Sequence, residues 1–258
     1  MIDLHNHLLP ALDDGSPDMA ETMRMARIAF GDGIRTIVAT PHSFNGEFVT
    51  DPVAIKSHVW QVNEILGREG IDVKVLPGME IRIVPNLVEL ISRGMLLALN
   101  EGRYFLMEFP QAHVPAAFDR FLDTVRALDY GVVIGHPEKN LHIQHNTEWL
   151  GGVLERLHSW DLVVQISADS LTGAAGRAAY RTARTLLKQN LVHVIATDAH
   201  SSVHRPPRLS KAVAVAARIV GQEKAHQLVT DIPDAILRGT GFPSLAEPEA
   251  PRKWWNVL

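Results

Sequence analysis

Seven short apolar runs divide this chain, and nearly every one leads into a histidine or a carboxylate. The runs cover residues 1–4, 36–39, 73–76, 104–107, 132–134, 162–166 and 192–196. They are short and mostly β-branched or apolar, as strands buried on both faces of a parallel sheet are. Amphipathic segments lie between them. Ser16-Pro17 reads as an N-cap with proline at the first helical position, and Gly31 or Gly33 would stop that helix. Asp51-Pro52 opens a second helix in the same way, closing near Gly70. Phe118, Phe121, Leu122, Val125 and Leu128 form one apolar helical face before Gly131, and Trp149, Leu150, Val153, Leu154, Leu157 and Trp160 form another. Further helices are expected over 174–189 and 210–219. A strand–helix alternation repeated in this way predicts a parallel sheet with right-handed crossovers. The length of 258 residues suits one α/β barrel, or at most two small domains.

The polar residues decide between an open and a closed sheet. The first strand runs into Asp3-Leu4-His5-Asn6-His7, and residues two apart on a strand share a face about 6–7 Å apart. Two imidazoles placed so can grip one ion. Asp13-Asp14-Gly15 follows in the next loop. Later strands end in Thr40-Pro41-His42, Pro77-Gly78-Met79-Glu80, Glu108, Gly135-His136-Pro137-Glu138 and Thr197-Asp198-Ala199-His200, with Gln165 and Ser167 on the sixth. In a closed parallel barrel all these ends meet at one mouth, where active sites of such folds lie. A lone buried histidine or glutamate is ordinarily a hydrogen-bonded structural residue. A set repeated after successive strands is not, because buried charge is costly unless paired or bound to metal. The nitrogen and oxygen donors suit zinc, manganese or iron.

Composition excludes several functions. With no cysteine there is no disulfide framework, no thiolate metal site and no cysteine-nucleophile phosphatase. The lack of cysteine fits a reducing compartment, and a cytoplasmic location is expected. Asp3, His5 and His7 stand where a secretory leader would be, and no apolar run reaches the roughly 18 residues that span a bilayer. Membrane insertion is therefore not expected. The net charge of −4, with both signs dispersed, gives no surface for nucleic acid.

Taken together, these motifs resemble the PHP (polymerase and histidinol phosphatase) superfamily, and more narrowly the manganese-dependent protein-tyrosine phosphatases of bacterial capsule and exopolysaccharide operons. The resemblance runs from Met1 to about Pro243, so a single domain over 1–243 with a tail over 244–258 is expected. It implies a distorted seven-stranded (β/α)7 barrel of the TIM type, the PHP fold, holding three divalent ions, with manganese first and zinc or iron as alternatives. By resemblance, His5, His7, Glu80 and Asp198 hold the first ion. Glu80, Glu108 and His136 hold the second, with Glu80 bridging, and Asp14, His42 and His200 hold the third. Arg205, in His204-Arg205-Pro206-Pro207, matches an arginine that binds phosphate. One departure is Lys139, where the family usually has arginine. Lysine meets phosphate as a point charge, without the bidentate fork.

The reaction implied is hydrolysis of phosphotyrosine by a metal-activated water. Three ions against the carboxylates of Asp14, Glu80, Glu108 and Asp198 leave roughly two positive charges for a phosphate dianion. Phenol, with a pKa of about 10, is a forgiving leaving group. Asp198 or His200 is a candidate to protonate it. The partner implied is a phosphotyrosine protein, the C-terminal tail of a bacterial tyrosine kinase of polysaccharide export. Competing readings are a phosphatase for histidinol phosphate or another small phosphomonoester, a nuclease of the same fold, and a phosphotyrosine-binding regulator without turnover. Outside the cluster, His142 and His145 are read as a solvated loop, and His113, His158, His193 and His204 as structural or surface residues. Lys139, Arg205 and Arg208 are the basic residues expected near substrate. Arg177, Arg181, Arg184 and Lys188 share a helical face, read as solvated, with docking of an acidic partner or a second subunit in a homo-oligomer as the sharper alternative. Trp254-Trp255 would pack on the barrel or meet a partner.

Overall fold

Nine parallel strands run through the residues that the computed structural model describes, 1–156 and 162–240. They are β1 (Ile2–Asn6), β2 (Thr36–Ala39), β3 (His42–Ser43), β4 (Lys74–Pro77), β5 (Glu80–Arg82), β6 (Tyr104–Glu108), β7 (Gly131–Gly135), β8 (Leu162–Ser167) and β9 (Val194–Ala196). One sheet has the order β1-β2-β4, and the other β3-β5-β6-β7-β8-β9. All seven expected strands are present, two of them in two pieces. The second breaks into β2 and β3 at Thr40-Pro41, where proline has no amide to give a ladder. The third breaks into β4 and β5 at Gly78-Met79. A Cβ on Gly78 would stand 2.7 Å from Val38 Cγ1 and 3.0 Å from Leu99 Cδ2, so the break needs glycine.

Each broken strand begins in the small sheet and ends in the large one, which joins the sheets along one side. On the other side β1 meets the turn after β9. Asn6 bridges to Ala199, Asp198 N donates to His5 O at 2.8 Å, and His7 N donates to Ala199 O at 2.9 Å. The strands thus follow one another in barrel order, with their C-terminal ends on one side. Every residue of β6, β7 and β8 is buried, which is why these strands read as apolar runs, broken only by Glu108, Gln165 and Ser167 toward their C-terminal ends. One contiguous apolar core, including Leu4, Ile37, Leu106, Val133, Val164 and Ile195, lies behind the mouth.

The helices pack around this frame with adjusted ends. The first spans Met19–Gly31 and is capped by Asp18, which accepts from Glu21 N at 2.8 Å; Ser16, the expected cap, is buried and donates to Asp18 O. Asp51 caps Pro52–Arg68 as expected, accepting from Val53 N. Phe118–Ala127 buries Phe118, Leu122 and Val125, while Leu128 lies past its end and is 45% exposed. The helix expected from residue 174 begins at Arg177, because Gly176 precedes it at φ 95°. Thr147–Arg156 buries Leu150 and Val153; Leu157, His158, Trp160 and the tail with Trp254-Trp255 lie outside the described residues. Among the described residues, no helix is long and apolar enough to cross a membrane.

Candidate metal centre

All nine residues expected as ligands converge at the mouth. They form four overlapping groups whose ligand atoms lie within 4.8 Å of one another: His7, Asp14, His42, His200; His5, His7, Glu80; His5, His136, Asp198; and His42, Glu80, Glu108. His5, His7, His42 and Glu80 each stand in two groups. His5 and His7 come from the end of β1 with their Nε2 atoms 3.1 Å apart. His42, Glu80 and Glu108 come from β3, β5 and β6, side by side in the large sheet. His136 and Asp198 occupy the turns after β7 and β9 at φ 33° and 53°. This left-handed region is uncommon for residues other than glycine, though His, Asn and Asp enter it more readily than most. Such strain is characteristic of sites that must aim a side chain.

The hydrogen bonds behind the cluster show what its inner atoms are. His7 Nδ1 faces Asp13 Oδ2 at 2.6 Å, and His5 Nδ1 faces Gln165 Oε1 at 3.0 Å. Both partners are acceptors, so both histidines carry their proton on Nδ1 and aim an Nε2 lone pair inward. Those lone pairs meet Glu80 Oε2 at 3.2 and 3.4 Å and Asp198 Oδ1 at 3.5 and 3.6 Å. Likewise His200 Nδ1 donates to the carbonyl of Asp198 at 3.0 Å, leaving Nε2 toward Asp14 at 3.5 Å. Glu80 Oε2 and His42 Nδ1 are buried and, although 2.8 Å apart, form no hydrogen bond of acceptable geometry. Acceptors facing acceptors in a buried cluster is an arrangement that a cation resolves. The residues fit divalent metal.

Proton affinities follow the same logic. Burial works against ionised Glu80, yet His5, His136 and His42 around it hold its carboxyl well below the usual range. Burial and the neighbouring charge of Glu80 push Glu108 up. Burial would depress His136, but its 2.7 Å contact with Glu80 raises it to about 9. His7 is raised well above its ordinary value by Asp13 and Glu80, against the effect of burial. Asp14 falls to about 2, chiefly through His200. At His7 and His136 a proton therefore competes with a cation for the inward nitrogen.

The cationic side is more constrained than the sequence suggests. Lys139 Nζ lies 2.9 Å from Asp198 Oδ2 and 3.1 Å from Asp169 Oδ2, and Arg205 Nη2 lies 2.6 Å from the same Asp198 oxygen. Arg208 is exposed, and none of the described contacts ties it to the cluster. A basic residue missed by sequence reasoning is Arg82, whose Nε lies 2.9 Å from Glu108 Oε1. Arg82, Glu108, Phe109, His136 and Lys139 line a cavity of about 220 Å³. Asp13 and Gln165 were passed over as ligand supports, though the Asp13-Asp14 pair and the polar glutamine in an apolar strand were visible signals. Asp3, noted in the first motif, is buried and ties β1 to the last strand by accepting from Thr197 N at 2.8 Å. His193 is buried, and its Nδ1 accepts from Val164 N; burial lowers it to about 3. His113, His142, His145 and His204 are exposed, as are Arg177, Arg181 and Lys188, while Arg184 stacks on Tyr180.

The sequence matches the family described as "Capsular polysaccharide synthesis, CpsB/CapC" over residues 1–238. It is 37% identical to the tyrosine-protein phosphatase YwqE of Bacillus subtilis over 259 residues, the full length of both chains. A solved structure from work on YwqE and on CpsB of Streptococcus pneumoniae, described as metal-dependent tyrosine phosphatases, matches with a TM-score of 0.89 and 36% identity, covering 96% of this chain and 98% of that one. The histidinol phosphate phosphatase of Lactococcus lactis matches with a TM-score of 0.55 and 16% identity, over 87% and 93% of the two chains. That second likeness speaks for the fold alone.

Proposed function

The chain belongs to the CpsB/CapC family of capsular polysaccharide synthesis, and from that premise we propose that it is a metal-dependent protein-tyrosine phosphatase. The observation that carries the reading is the set of inward lone pairs on His5, His7, Glu80 and Asp198. We assign His5, His7, Asp14, His42, Glu80, Glu108, His136, Asp198 and His200 to three divalent ions, with manganese first and zinc or iron as alternatives. When bound, these ions supply an activated water and neutralise charge on the phosphoryl group.

The chain's own groups do the rest. Arg205 and Lys139 hold Asp198 ionised; Lys139 and Arg82 line the cavity, and Arg205 joins them through the shared Asp198 carboxylate to supply cationic groups for the phosphate. Asp198 and His200 are both fitted as ligands, one gripped by two cations and the other presenting a lone pair, so neither is poised to donate a proton. Protonation of the leaving group falls to solvent. Phenolate tolerates this, and the far more basic alkoxide of serine does not. Phosphotyrosine is therefore the substrate class, and we place its physiological source in the C-terminal tail of a bacterial tyrosine kinase, in keeping with the family's role in capsule synthesis. Catalysis sits in one domain over 1–243, in the cytoplasm.

The test is to strip the protein with a chelator and restore manganese, zinc, iron or magnesium singly. Phosphate release is then followed from a phosphotyrosine peptide, a phosphoserine peptide and histidinol phosphate. Metal-dependent release from phosphotyrosine at least 100-fold faster than from the other two is expected. Preference for histidinol phosphate would move the chain to small-metabolite chemistry, and tight phosphopeptide binding without release would make it a regulator.

A further inference from the structure

Next to the cavity of the metal centre runs a larger one of about 750 Å³. Ile83, Val84, Leu87 and Val88 line one wall and Phe118 and Phe121 another, with no carboxylate in its lining. The two cavities share a thin partition. Ile83 follows Arg82 in the chain and donates its amide to Glu108 O at 3.1 Å, and Pro110 stands between Phe109 and Gln111 of the metal-side cavity. The ring of Phe109, on the metal side, packs edge-on against Phe118, in the groove, with centroids 4.9 Å apart.

We infer that this groove binds an apolar side chain of the substrate peptide, two or three residues from the phosphotyrosine. The inference rests on the proposed phosphatase reading and deepens it. With the phosphate of a phosphotyrosine by Arg82 and His136, a backbone that runs over the partition comes to this groove within a few residues, since an extended chain advances about 3.3 Å per residue. Pro85, Pro110 and Pro115 stand in its wall with φ fixed, so the groove is preformed and little ordering is needed on binding. Its polar members include Arg120 and His113, which suit an anionic phosphopeptide. Val88, 37% exposed, leaves its rim open.

The test uses the full-length, metal-loaded protein and two phosphotyrosine peptides, one with leucines at the three positions on each side and one with serines. The leucine peptide should have a kcat/KM about tenfold higher, the discrimination expected for one buried apolar side chain. Val88→Gln and Ala117→Gln, which put an uncharged polar group into the groove, should raise KM for the leucine peptide about tenfold with kcat kept. The serine peptide and 4-nitrophenyl phosphate should be unaffected, which also shows that the variants are folded. Equal turnover of both peptides by the unmodified protein overturns the inference alone. A change of mass by sedimentation in the variants, with KM unmoved, overturns it by making the groove a contact between copies. Failure to release phosphate from either peptide overturns the phosphatase reading, and this inference with it.

Discussion

At the residue scale, function turns on which atom of each histidine faces inward. Asp13 and Gln165 set this for His7 and His5 by holding their Nδ1 atoms from behind the cluster. Asp13→Ala should weaken metal binding 10–100-fold, the usual effect of losing such a support, while saturating metal restores most turnover; competitive chelator titration reads the affinity. Asp198→Ala removes a ligand and leaves Lys139 and Arg205 without their shared anion, so turnover should be lost at any metal concentration. Proton linkage gives a second expectation. The raised values of His136, about 9, and of His7 and His42 mean that these three histidines hold their protons more tightly in the metal-free fold than in the unfolded chain. That stabilisation is full below about 6.5, the unfolded value, and is lost as pH rises through 9. Glu80 and Asp198, held well below their ordinary values, act the other way, and their contribution is lost only in acid. Metal competes with the histidine protons, so its stabilisation grows with pH. Calorimetry at pH 6.5 and 9 should show the gap between metal-loaded and metal-free Tm widening, and a narrowing gap would count against the assignment.

At the scale of elements, the two broken strands matter most. The breaks at Thr40-Pro41 and Gly78-Met79 let β3 and β5 swing into the large sheet, where His42 pairs in register with Glu80. Unbroken strands would continue along the small sheet. Gly78→Ala forces a methyl against Val38 and Leu99 and should cost about 1–3 kcal/mol in urea unfolding, typical of overpacking. It should also lower metal affinity, because the position of Glu80 follows from the break. The sequence showed proline and glycine at these points, but as turn residues after a strand. That pairing resumes beyond them depends on neighbouring strands, which local pattern does not encode.

For the whole molecule, the centre is a clasp. The residues assigned as ligands come from β1, β3, β5 and β6, from the turns after β1, β7 and β9 and from the Asp14 loop, so an ion bridging them would resist unfolding of the entire barrel. At free metal 1,000 times the dissociation constant, binding contributes about 4 kcal/mol. A chain of this size changes Tm by about 2–4 °C per kcal/mol, so chelation should lower Tm by about 10 °C. A chelator that leaves Tm unchanged would mean that the ligands are held without metal.

Which residues gather at the mouth could be read from the sequence, because a parallel strand–helix alternation sends every strand's C-terminal end to one side and most of them stand at or just past such an end, while His42 and Glu80 open the second pieces, β3 and β5, of the broken strands and Asp14 lies in the loop after β1. Strand positions were legible because buried parallel strands are mostly apolar. What only the tertiary structure decided joins residues distant in the chain. His5 meets Gln165 across 160 positions, Arg82 meets Glu108 across 26, and Lys139 is shared between Asp169 and Asp198. These contacts depend on the register between strands and on the turns that aim each side chain, and periodicity along a single strand carries neither. The groove beside the metal centre belongs to the same class, since its two walls become neighbours only when the barrel forms.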